Sequence, residues 1–170
     1  MTTDDLDYVR TLTSHPNLLE FCAFMIEERG DNSFPCFNLS NLLRLPHLVQ
    51  HSFAIDYRGG IENGILVAHG GTNLDREYGF NISNTTLEDI YPKDENRDPL
   101  LTGYRRSFVE KKNFYCRRIS QFAKDEWSPN RIAECLMFAC SQNQHDIDYG
   151  WGVVLFGPET TPTKGVFVNW

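Results

Sequence analysis

The sequence predicts an α+β domain: a five-stranded antiparallel sheet with helices over one face, preceded by an N-terminal helix. Three observations carry this prediction. Stretches compatible with strands occur at 52–57, 64–69, 114–124, 131–140 and 151–156. A segment with helical spacing, opened by Asp98 and Pro99, separates the first two from the last three. Turn-rich residues join the later strands, as expected for antiparallel neighbours. A chain of 170 residues suits one sizeable core and is short for two. We therefore expect a helical extension over 1–43, a sheet domain over 44–157 and a tail over 158–170.

The first helix is expected from Pro16 to Arg29, with Ser14 as cap and Gly30 ending it at positive φ. Leu18, Leu19, Phe21, Cys22, Met25 and Ile26 share a very wide apolar arc, while Phe24 falls among Asn17, Glu20, Glu27 and Glu28. That is more apolar surface than one sheet contact covers. Either a second copy of the chain meets Phe21, Phe24 and Met25, or the segment Phe34 to Leu48 folds back over them. Within that segment, Asn38 or Ser40 caps a short helix ending before Pro46.

In the first strand Phe53, Ile55 and Tyr57 alternate with Ser52, Ala54 and Asp56, and Gly59-Gly60 reverses the chain. The second alternates Ile65, Val67 and His69 against Leu66 and Ala68. Thr72 or Asn73 then caps a short helix through Tyr78, and Thr86 to Asp89 opens a single turn. The long helix turns Leu101, Tyr104 and Phe108 toward the sheet. The 131–140 strand is apolar on both sides, with Cys135, Met137 and Ala139 opposite Leu136, Phe138 and Cys140. It needs two covers: the long helix on one face, and the N-terminal helix or a partner subunit on the other. Leu136 and Phe138 thereby join the expected contact residues.

Composition excludes several classes of function. A net charge of -7 argues against binding a nucleic-acid backbone. Five cysteines without a C-x-x-C pair fit neither a disulfide framework nor a zinc knuckle, and point to reduced thiols in the cytoplasm. Cys135 and Cys140 face opposite ways and cannot bridge. The acidic start and the absence of an apolar run of about 18 residues argue against a signal peptide or a membrane span. Arg105-Arg106, Lys111-Lys112 and Arg117-Arg118 either hold a phosphate or form a solvated face neutralised by the acidic stretch 88–98. His145 to Asp148 reads as an exposed hairpin, lacking the nucleophile or third ligand that an active site or metal site needs.

Several residues also resemble a known family. Arg44-Leu45-Pro46-His47-Leu48 before Phe53 to Asp56, Gly71-Thr72, Tyr78-Gly79, Leu87 to Ile90, Tyr104-Arg105 with Val109, Glu134 to Ser141, and Asp148 to Gly152 resemble, in order, the PAS-like sensor domains of the short stand-alone type common in alphaproteobacteria. Asn84-Thr85 replaces the family's Thr-Gly, and Ala139 its strand proline. The resemblance implies a stand-alone cytoplasmic sensory domain that binds a small ligand or a protein partner and acts through homodimer or partner contacts. It implies a pocket lined by His69, Tyr78, Tyr104, Phe108, Met137 and Trp151, with His69 on the inward face, where it either hydrogen-bonds a ligand or switches charge near neutral pH, or is satisfied by a backbone carbonyl. Flavin is disfavoured because 78–91 holds no cysteine, and haem because 98–112 holds no histidine; the cofactor stays open. A structural dimerisation module with a filled core, and a small acid/base enzyme built around His69, are the alternatives.

Overall fold

The computed structural model describes residues 2–91, 93–120, 131–160 and 163–170. Helices α1 (Thr2–Leu12) and α2 (Pro16–Arg29) lead through a 3-10 helix (Leu39–Arg44) and the single turn α3 (Pro46–Val49) into strands β1 (Ser52–Asp56) and β2 (Leu66–Gly70). Then come α4 (Thr72–Tyr78), α5 (Leu87–Ile90), α6 (Arg97–Val109), β3 (Phe114–Ser120), β4 (Arg131–Cys140), β5 (Tyr149–Pro158) and β6 (Val166–Asn169). The sheet order is β2-β1-β5-β4-β3-β6, and every neighbouring pair is antiparallel. The α+β class therefore holds.

The strand count does not. Six strands form among the described residues, because the segment expected as a tail supplies β6, which pairs Val166 to Asn169 with Arg117 to Phe114. An uncovered β3 would present a row of open backbone groups, and β6 takes those bonds up. Residues 121–124 of the expected third strand and the turn at 125–130 lie outside the described residues.

Alternation along the strands divides the interior into two cores. Phe53, Ile55, Val67, Phe114, Met137 and Val154 face α4, α5 and α6 on the inner side. Tyr115, Leu136, Phe138, Trp151 and Val153 face α1, α2 and the 3-10 helix on the outer side. The helical layer is thus on both faces. On the inner side α6 sits so close to β3 that a Cβ on Gly103 would lie 2.1 Å from the Phe114 ring, which is itself fully buried.

The surplus apolar arc of α2 is covered by the chain itself. Phe24 is 6% exposed; its ring is T-shaped to Trp151 at 5.6 Å, and the Arg44 guanidinium lies 4.8 Å from its centroid. Arg44 also pairs with Glu27 at 2.7 Å, Asn41 donates to Glu28 at 2.6 Å, and His47 meets Glu20 at 2.7 Å. The polar flank that seemed to strand Phe24 is therefore what ties down its cover. Phe21, Phe24, Met25, Leu136 and Phe138, expected as a dimer or partner contact, are all buried in this outer core and offer no free surface. Burying each is worth roughly 1.5–3 kcal/mol, a gain already realised within one chain.

Helix α1 adds a cover that the sequence reading did not separate from the rest of the extension. Asp5 anchors it, pairing with Arg29 at 2.6 Å and accepting the Trp170 indole N–H at 3.1 Å. At the start of α2 the cap is His15, whose Nδ1 accepts from the Asn17 N–H at 3.3 Å, in place of Ser14. Gly30 ends the helix at φ 55, as its position predicts.

Candidate functional site

The expected pocket residues do not converge. Tyr78 and Tyr104 line a small hollow on the inner side, together with Phe53, Ile90 and Tyr91. Met137 belongs to the same core but sits beneath Gly150. Phe108 stacks on Tyr57 at 5.1 Å and borders a separate open cleft of about 600 Å³. Trp151 is on the opposite side of the sheet, among Phe21, Phe24 and Phe37.

His69 is also on the outer side, and one irregularity explains it. Ala54 pairs with His69, yet Ile55 pairs with Val67, so Ala68 is an extra residue in β2. A bulge of this kind resets the alternation. Val67 points inward as expected, while His69 emerges beside Ser52, with Nε2 3.2 Å from Oγ. The Ser52 hydroxyl donates to the Val49 carbonyl at 2.8 Å, leaving its lone pair to accept from the imidazole. Burial lowers the His69 pKa, with Asp75 pulling it up. No carboxylate hydrogen-bonds His69 among the described residues. This is a histidine satisfied by a structural hydroxyl, at the edge of an open cleft formed with Pro46, Val49 and Thr72.

The other charged candidates are similarly engaged. Arg105 pairs with Glu88 at 3.1 Å, Arg106 with Glu110 at 2.8 Å, and Lys112 with Glu110 at 3.4 Å. Lys111 donates to the His145 carbonyl, and Arg117 stands opposite Glu134. The 145–148 loop is a turn organised by Asn143, whose Oδ1 accepts from the backbone N–H groups of His145 and Asp146, each at 2.8 Å. No group of three or more metal-ligating side chains forms among the described residues.

What the sequence reading missed is Arg118. Phe114, Cys116 and Arg118 occupy alternate positions of β3, so the strand that turns Phe114 inward turns Arg118 inward too. Arg118 is 4% exposed and is the one charged residue among the buried described residues. Its guanidinium lies 4.8 Å from the Tyr91 ring centroid. Nη1 reaches the Ile119 carbonyl at only 3.5 Å, and Nε has no hydrogen-bond partner. The signal was available in the alternation, but Arg117-Arg118 read as one basic run.

Polar groups gather around it. The hydroxyls of Tyr78 and Tyr91 meet at 3.1 Å, delivered by the end of α4 and the residue after α5. The Tyr104 hydroxyl lies 3.7 Å from Cys135 Sγ, and Cys135 stands directly across the ladder from Cys116. Burial pushes the pKa values of Tyr78 and Tyr104 well above the ordinary phenol value, so both stay neutral and balance no charge. The Cys116 pKa is instead lowered, chiefly by its hydrogen bond with Cys135 and also by Arg118, against the effect of burial. The hollow beside these groups measures about 10 Å³, enough for one water molecule at most.

No protein-family model matches the chain, and no curated protein matches it.

Proposed function

We propose that the chain is a PAS-like sensory domain of the cytoplasm, in which a small ligand held between the sheet and the α4–α6 layer alters contacts with a second copy or a signalling partner. The observation that carries this reading is the polar cluster in the inner core. A purely structural core of this size gains nothing from a buried guanidinium, since taking a charge out of water costs several kcal/mol unless it is paired. The succession β1, β2, α4, α5, α6, β3, β4, β5 supports the same reading, because it follows the order of the matched residues. Signalling is a population shift: the ligand must bind one packing of the domain better than another. Since α2 and its neighbours are buried, the responsive surface lies elsewhere than at Phe21 and Phe24.

A second reading, an interaction module with a filled core, is favoured by the small size of the hollow. Native mass spectrometry of the protein as purified separates the two. The sensory reading expects a retained small molecule that is lost under denaturing conditions, with a change of oligomeric state or partner binding when it is removed. A bare chain whose assembly is indifferent to added small molecules favours the module.

A further inference from the structure

We infer that Arg118 anchors a binding site for the carboxylate of a small monoanionic organic acid, an inference that deepens the sensory reading above and rests on it. The first ground is the state of the side chain. A guanidinium has five N–H donors, and among the described residues this one meets a long carbonyl contact, an aromatic face and the Cys116 thiol, while Nε has no hydrogen-bond partner. Buried charges are paired in stable proteins. Among the described residues no carboxylate pairs with this one.

Shape and charge then select the ligand class. Nη1 is turned to the Ile119 carbonyl, so the edge that includes Nε is the one left for a ligand. A planar guanidinium edge matches the two oxygens of a carboxylate. Arg118 is the sole buried charge among the described residues, so a single negative charge neutralises the site, whereas a phosphate dianion would leave an excess. The surrounding hydroxyls of Tyr78 and Tyr91 are polar, while Leu74, Ile82 and Ile90 suit a short aliphatic body. The water-sized hollow is lined by Tyr91 and not by Arg118 itself, so even a small acid reaches the guanidinium only if Tyr91 and the four-residue α5 that precedes it move aside. That displacement is the link between occupancy and a change at the surface.

One group within the chain competes for the role. Cys116 occupies the same face of β3, two residues away, and as a thiolate it could neutralise Arg118.

The test is a calorimetric titration of the purified protein with acetate, propionate and inorganic phosphate at fixed ionic strength, repeated for Arg118→Met, Arg118→Lys and, as an outer-face control, Arg117→Met. Saturable binding of a carboxylate is expected for the wild type and Arg117→Met, weakened by roughly 10- to 100-fold in Arg118→Met, the weight of one or two charge-assisted hydrogen bonds. Arg118→Lys keeps the charge without the edge, so it should bind more weakly than the wild type even if Arg118→Met does not fold. Equal carboxylate binding by wild type and Arg118→Lys, tighter binding of phosphate, or a thiolate absorbance at neutral pH that disappears in Cys116→Ser would overturn the inference. If no carboxylate binds but a neutral molecule is retained in native mass spectrometry, the carboxylate site falls and the sensory reading stands. If neither is found, both fall.

Discussion

His69 and Ser52 face each other at 3.2 Å on the outer side of the sheet because β2 carries one residue more than β1 at Ala68. The extra residue moves an imidazole from the inner side of the sheet to the outer side, at the edge of an open cleft. This placement has a pH consequence. Burial lowers the folded-state pKa of His69 below 6.5, with Asp75 as a smaller opposing influence. The unfolded chain then takes up the proton first as the pH falls, so stability is full above the unfolded value and declines below it. Urea unfolding of the wild type at about pH 7.5 and about pH 5.5 should give a lower midpoint at the acid value. In His69→Asn the difference should shrink without vanishing, because the His51 pKa is also lowered, chiefly by burial.

Phe24 and Arg44 should differ sharply in weight. Phe24→Ala leaves a cavity beside Trp151 and is expected to cost about 3–5 kcal/mol in denaturant unfolding. Arg44→Ala removes an exposed cation over the ring and its surface ion pairs with Glu27 and Glu28, and should cost far less than Phe24→Ala. A small effect from Phe24→Ala would mean that α2 is not covered as described.

Gly103→Ala tests the contact between α6 and β3. A methyl group there has no room against the Phe114 ring, so the substitution should destabilise by about 1–3 kcal/mol although alanine is the better helix former. An increase in thermal midpoint would contradict the packing.

Asn169 ties the sixth strand to the long helix. Its Nδ2 donates to the Gly103 carbonyl at 2.9 Å, the Asn113 carbonyl at 3.2 Å and Ser107 Oγ at 3.3 Å. Asn169→Ala should cost about 1–3 kcal/mol and raise hydrogen exchange in β6 and along Phe114 to Arg117. Unchanged exchange in β3 would show that β6 is not its cover.

Much of the architecture was legible because it rests on local pattern. Pro16 and Gly30 bracket α2, Tyr78 and Gly79 end α4, and the double apolar face of 131–140 announces two cores. Most of the misreadings share one cause: contacts between segments distant in sequence. Counting by twos along 64–69 cannot reveal that Ala68 is an extra residue relative to β1. The wheel of α2 cannot show that Arg44 returns to shield Phe24. Trp151 stands between Gly150 and Gly152, so its neighbours do not declare which face is inner. β6 is a four-residue strand stabilised by its partner rather than by its own pattern. The buried position of Arg118 was readable in place, since Phe114 and Cys116 precede it on the same face.

The unfolding free energy of Arg118→Met, measured against the wild type with both freed of small molecules by refolding from denaturant, tests the central claim most directly. If the guanidinium awaits a ligand, the empty protein should be no less stable with methionine there, and up to about 1–4 kcal/mol more stable. A loss of about 3–5 kcal/mol would place the counter-charge within the chain and contradict a ligand site in the inner core.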